Sequence, residues 1–166
     1  MNVSGKSLAV AVAALSTLVA STPMATAKES RFDIGSFILV VNMMQGSASS
    51  GIAFTGNEND SALAIKCHDH ALSVELVSKG KKDFDTQDLK ILFRADNGPF
   101  SPLRGGVFDG EIHAVTESLE AVNSMRGAQN AYVQVLSGNT FVTLTFPLQK
   151  ADQIIDILTK TCALTK

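Results

Sequence analysis

The chain has no tryptophan, one tyrosine and only two cysteines among its 166 residues. Two cysteines allow one internal bridge at most, and they do not form the C-x-x-C pair of a redox motif. A basic excess is also missing. Lys and Arg number 14 against 16 for Asp and Glu, with no basic cluster, which argues against nucleic acid as a partner. No apolar run after the N-terminus is long enough to span a bilayer. The sequence contains no G-x-S-x-G, no H-E-x-x-H and no P-loop, and its carboxylates are scattered. No catalytic residue is assigned on this pattern and no cofactor is expected.

What is present begins with an address. Met1 to Lys6 carries one positive charge, Ser7 to Ala20 is apolar with small hydroxyl interruptions, and Pro23 precedes Ala25-Thr-Ala27. That is the order of a secretory signal peptide, with small residues at the A-x-A positions that signal peptidase reads. The apolar stretch of about 14 residues falls short of the roughly 20 that cross a bilayer. No cysteine follows it for lipid attachment. The expectation is cleavage after Ala27, leaving residues 28–166 as one soluble periplasmic or secreted domain. Only Lys6 is lost among the charges, so the mature balance is 13 basic against 16 acidic residues.

An oxidising destination makes pairing of the two cysteines the default. Strand alternation through Leu63-Ala-Ile65-Lys66-Cys67 points Cys67 to the same side as Leu63 and Ile65. Helical spacing places Cys162 on one stripe with Ala151, Ile154, Ile155 and Leu158. Both thiols therefore face inward. A Cys67–Cys162 bridge closes a loop of about 95 residues.

Between these points the sequence alternates strands with turn chemistry. Lys28 to Asp33 is polar and reads as loose; Ile34 to Met44 reads as one long buried strand. Gln45 to Gly51 is a turn by composition. Leu63–Cys67 and Ala71–Val77 form a hairpin through His68-Asp69-His70, and Ser78 to Thr86 is a charged loop. Leu89–Arg94 and Ile112–Val115 alternate as strands, whereas Pro102 to Gly110 resists assignment. Thr116 is a candidate N-cap for a helix over about 116–126. A hairpin around Ser137-Gly-Asn139 precedes Pro147, which opens a helix over about 148–162. The expected class is α+β: a mostly antiparallel sheet or sandwich with two helices packed on it and one disulfide.

Three groups of residues could carry chemistry. His68 and His70 at i and i+2, with His113 as a third ligand, could hold a divalent metal, though Asp69 between them is an ordinary turn former. No metal site is assigned on them. Arg94 and Asp96 end a strand and could anchor a ligand or pair with each other. Arg104 beside Gly105-Gly106 lacks the strand–helix setting of a phosphate loop. Lys79, Lys81 and Lys82 are interrupted by Asp83 and Asp85 and make no polyanion site.

The pattern from Leu63 to Leu164 resembles small exported proteobacterial proteins of the type VI secretion-associated accessory kind. It resembles, less closely, the invasion-associated locus B proteins. The resemblance is carried by a strand ending in Cys67, a strand ending in Arg94-Ala-Asp96, a helix before an aromatic strand, and Phe146 leading to a helix that ends in Cys162. Such proteins carry tryptophans, and Phe108 or Val107 stands in such a place here. The resemblance implies a non-enzymatic module that works through contacts with another envelope or secreted protein. It carries over the Cys67–Cys162 bridge, and Arg94 and Asp96 as a structural or ligand-facing pair; apart from the resemblance, Arg104 is a third candidate ligand- or partner-facing residue. The rival readings are an extracytoplasmic metal protein or hydrolase using His68, His70 and His113, and a small enzyme inhibitor.

Overall fold

The structure, a computed structural model, describes residues 28–43, 50–79 and 88–163. Residues 1–27, read as a signal peptide, and residues 80–86 of the expected charged loop lie outside the described residues, as does most of the Gln45–Gly51 turn.

The chain starts as a hairpin. β1 (Lys28–Ile34) pairs antiparallel with β2 (Phe37–Met43) across Gly35 and Ser36. Residues read as loose are thus a strand, and the long Ile34–Met44 strand is cut at Gly35. Gly35 has a φ of +61°, and a Cβ there would run into the Gln149 carbonyl. Only glycine tolerates that backbone angle at so close an approach. Gly35→Ala is therefore expected to cost about 2 kcal/mol or more, read as a lower midpoint in urea unfolding.

β3 (Ser50–Gly56), β4 (Ser61–His68) and β5 (Ala71–Lys79) continue the meander. The β4–β5 turn is Asp69-His70, with φ of +47° and +65°, two consecutive left-handed residues of the kind that closes a two-residue hairpin. Next come β6 (Lys90–Ala95), β7 (Ser101–Phe108) and β8 (Glu111–Thr116). Then α1 (Leu119–Ser124), β9 (Asn130–Ser137), β10 (Thr140–Pro147) and α2 (Ala151–Ala163) complete the described chain.

All ten strands join one antiparallel sheet in the order β1-β2-β3-β4-β5-β8-β7-β6-β9-β10. The sheet curls into a half-barrel, bringing the end of β10 against β3. The Pro147 carbonyl accepts hydrogen bonds from Ser36 Oγ at 2.8 Å and Thr55 Oγ1 at 3.2 Å. Both helices fill the inside. α2 lies against β2 to β5 and α1 against β5 and β6. Phe37, Phe93, Phe146, Leu63, Ile154 and Leu158 make the centre of one core.

The α+β expectation is overturned by this arrangement. Helices of 6 and 13 residues plug a ten-stranded sheet; they do not form a layer of their own. The first helix is shorter than 116–126, because Thr116 stays in β8 and Ser118 is the N-cap, its Oγ accepting from the Ala121 N–H at 3.3 Å. The second begins at Ala151 instead of 148, since Pro147 ends β10. The antiparallel pairing and the bridge do appear. Cys67 and Cys162 are both buried and disulfide-bonded, with Cα atoms 5.8 Å apart.

Candidate functional site

Strand alternation decides what the outside of the half-barrel shows. Along β5, Leu76 and Val74 turn inward, so Glu75, Val77 and Lys79 turn outward. Register carries this across the neighbouring strands. Glu75 lies beside Val115 and Arg104, Val77 beside His113 and Gly106, and Lys79 beside Glu111 and Phe108. Three strands thus build one strip from alternating positions.

That strip mixes charged side chains with exposed apolar ones. Among the described residues seven large hydrophobics are exposed, and four of them, Val77, Phe100, Phe108 and Val115, line this region. Phe108 is 61% exposed. Two hollows share Arg104 and Val115 as a common wall. The larger, about 620 Å³, is lined by Phe100, Pro102, Arg104, Val115, Glu117 and Glu120, among others. The smaller, about 340 Å³, runs over Val77, Phe108 and His113. The Phe108 and His113 rings meet edge to face with centroids 6.1 Å apart.

The three partner-facing candidates fall differently. Arg104 is on the strip and exposed. Arg94 is next to it, half-buried on β6. Its guanidinium sits 4.9 Å from the Phe100 centroid and 5.4 Å from the Tyr132 centroid, and its buried Nε has no hydrogen-bond partner. Stacking on both rings fixes this cation and backs the aromatic wall of the larger hollow.

Asp96 does not pair with Arg94. With φ at +42°, it turns back so that its carboxylate accepts from the Gln129 and Asn130 N–H groups, both at 3.0 Å. Its role is to fasten the start of β9 to the end of β6. Asp96→Ala strands two backbone donors, and we expect a loss of about 1–3 kcal/mol in chemical denaturation with partner contact unchanged.

The histidines are not brought together. His68 Nε2 is 3.2 Å from Asp69 Oδ2 at the exposed β4–β5 turn, and His70 Nδ1 is 3.1 Å from the Cys162 carbonyl at the end of α2. His113 pairs with Val77, seven residues along from His70, or about 20 Å of strand. Its Nε2 lies 3.3 Å from Glu111 Oε2. Among the described residues no three His, Cys, Asp or Glu side chains group as metal ligands. Lys79, expected in the charged loop, ends β5 instead; its exposed ammonium bonds Asp60 at 2.9 Å and holds that carboxyl below its ordinary range. The sequence marks Phe108 only as standing in a tryptophan's place, and its exposure and that of Phe100 were not readable, since exposure of an apolar side chain follows from register. The one signal was alternation, and it was unreadable through Pro102 and Gly105-Gly106.

Fold and site together define a curled antiparallel half-barrel, plugged by two helices, closed by one disulfide and apolar on part of its outer face. A solved structure shares this fold: the invasion-associated protein B of Bartonella henselae, with a TM-score of 0.58 and 11% identity. The match covers 79% of this chain and 96% of that one. At this identity the likeness concerns the fold. It agrees with the resemblance to invasion-associated locus B proteins. No protein-family model and no curated protein sequence matches the chain. Among the described residues no helix is long and apolar enough to cross a membrane.

Proposed function

We propose that the chain is an exported, non-enzymatic binding or accessory module that acts by protein contact through the outer face of β5, β8 and β7. In this reading residues 1–27 are removed on export and the module works in the periplasm or outside the cell, linked to secretion or to host interaction. The type VI secretion-associated resemblance and the shared fold with an invasion-associated protein both fit that setting. The disulfide suits an oxidising compartment.

One observation carries the proposal. Four of the seven exposed large hydrophobics of the described chain, Val77, Phe100, Phe108 and Val115, gather around hollows walled by Arg104 and Val115. A core needs none of them there, and leaving them in water costs about 25 cal/mol for each Å² of apolar surface that a partner could cover. Tyr132, Phe100 and the stacked Arg94 give one wall a rigid shape. Rigid aromatic and Arg groups suit a recognition surface.

The test is capture of a partner by the mature protein from its own periplasm and medium, compared with Phe108→Asp and Phe141→Asp. We expect one stoichiometric partner, lost with Phe108→Asp and kept with Phe141→Asp, an equally exposed residue on β10. Equal capture by all three would remove this face from the mechanism.

A further inference from the structure

Charges around the strip say more about what it meets. Two nearby polar contacts are internal: the Lys66–Glu75 ion pair at 3.3 Å, and His113 Nε2 at 3.3 Å from Glu111 Oε2. Arg104, Glu117 and Glu120 are exposed and form no ion pair or side-chain hydrogen bond among the described residues. They are not scattered. Arg104 is on β7, opposite Val115 of β8. Glu117 is two positions beyond Val115, and Glu120 is in the first turn of α1. The larger hollow therefore has a cationic wall and an anionic wall with apolar Val115 between them.

We infer that this face is self-complementary and that its occupant is a second copy of the chain, docked about a two-fold axis near Val115 so that Arg104 of each copy meets Glu117 and Glu120 of the other. The inference rests on the reading of this strip as a protein-contact face. A two-fold interface places one patch on itself, so each wall must find its opposite. A patch of one sign would repel its copy; this one attracts it twice. An unrelated partner would need an apolar strip flanked by a carboxylate and a base at the matching spacing. The second copy always brings that arrangement. The apolar centre supplies the affinity, and the charge pairs at its rim fix orientation and register.

Sedimentation equilibrium of the oxidised protein recovered from exporting cells, over the micromolar range, tests this with two charge-reversed variants. Arg104→Glu alone, and Glu117→Arg with Glu120→Arg, each place like charges across both contacts. Each is expected to weaken the dimer about tenfold or more. Mixed in equal amounts they pair opposite charges at both contacts, and a heterodimer at least as tight as the parent dimer is expected. Circular dichroism and an intact disulfide verify that each variant is folded. A parent protein that stays monomeric throughout, or a mixture no tighter than its components, overturns the inference. If the parent is monomeric and Phe108→Asp still abolishes capture of a different envelope protein, the contact face stands and the second copy does not. If Phe108→Asp changes neither, both readings fall.

Discussion

Replacing Cys67 and Cys162 by serine is expected to lower the melting midpoint by roughly 15 °C, the largest effect of any change that leaves the core side chains in place. The reasoning starts in the unfolded chain. The bridge ties residues 95 positions apart. A loop of that length loses about 4–5 kcal/mol of unfolded-state freedom in the chain-entropy account. It also joins the end of α2 to β4, so the helix that plugs the half-barrel is held at the place where it would fray. Around it Leu158 packs close to Gly51, and Cys162 is nearly inaccessible. Thermal unfolding of the parent with and without reductant should reproduce the serine result. A shift of a few degrees would mean that α2 is held by its apolar stripe alone.

Truncating Phe146 to alanine is expected to destabilise the protein by about 3–5 kcal/mol in urea unfolding. Phe146 is fully buried and stands opposite Ala131, a small partner that leaves the ring space inside the curl. It also precedes Pro147, whose carbonyl receives the Ser36 and Thr55 hydroxyls. The change thus opens a cavity at the point where the last strand meets β3. Phe141→Ala on the same strand is the control. Its ring is 57% exposed, and a change within about 0.5 kcal/mol is expected. Equal losses at both positions would contradict the curled sheet.

How far the sequence reaches can be followed residue by residue. The inward phase of Cys67 and of the Ala151–Cys162 stripe was legible, because alternation and helical spacing are properties of a single segment. The β4–β5 and β9–β10 hairpins were legible for the same reason, through turn residues between alternating runs. β1 was not. Its Lys28, Glu29, Arg31 and Asp33 look like loop chemistry, yet an edge strand carries charge to discourage pairing with other chains. β7 was hidden by Pro102 and Gly105-Gly106, which speak against a central strand. Asp109-Gly110 was its clearest signal, a two-residue turn with both φ angles positive.

These two strands explain the misread class. With β1 and β7 taken as loops, the helices look like half of the architecture; with them counted, the sheet closes around the helices. The candidate site was less legible still. Arg104 could be named from the sequence, but its neighbours on the strip come from β5 and β8, set by register alone. Arg94 and Asp96 looked like a pair because they are two residues apart. The structure separates them, one onto aromatic rings and the other onto the backbone of Gln129 and Asn130.

The central claim is that the outer strip of β5, β8 and β7 is where this protein touches another protein. Site-specific photo-crosslinking in the exporting cell tests it most directly, with the reactive group placed in turn at positions 77, 108, 115 and 141. The account predicts discrete protein adducts from 77, 108 and 115 and none from 141. Adducts from 141 alone, or none from the strip, would contradict it.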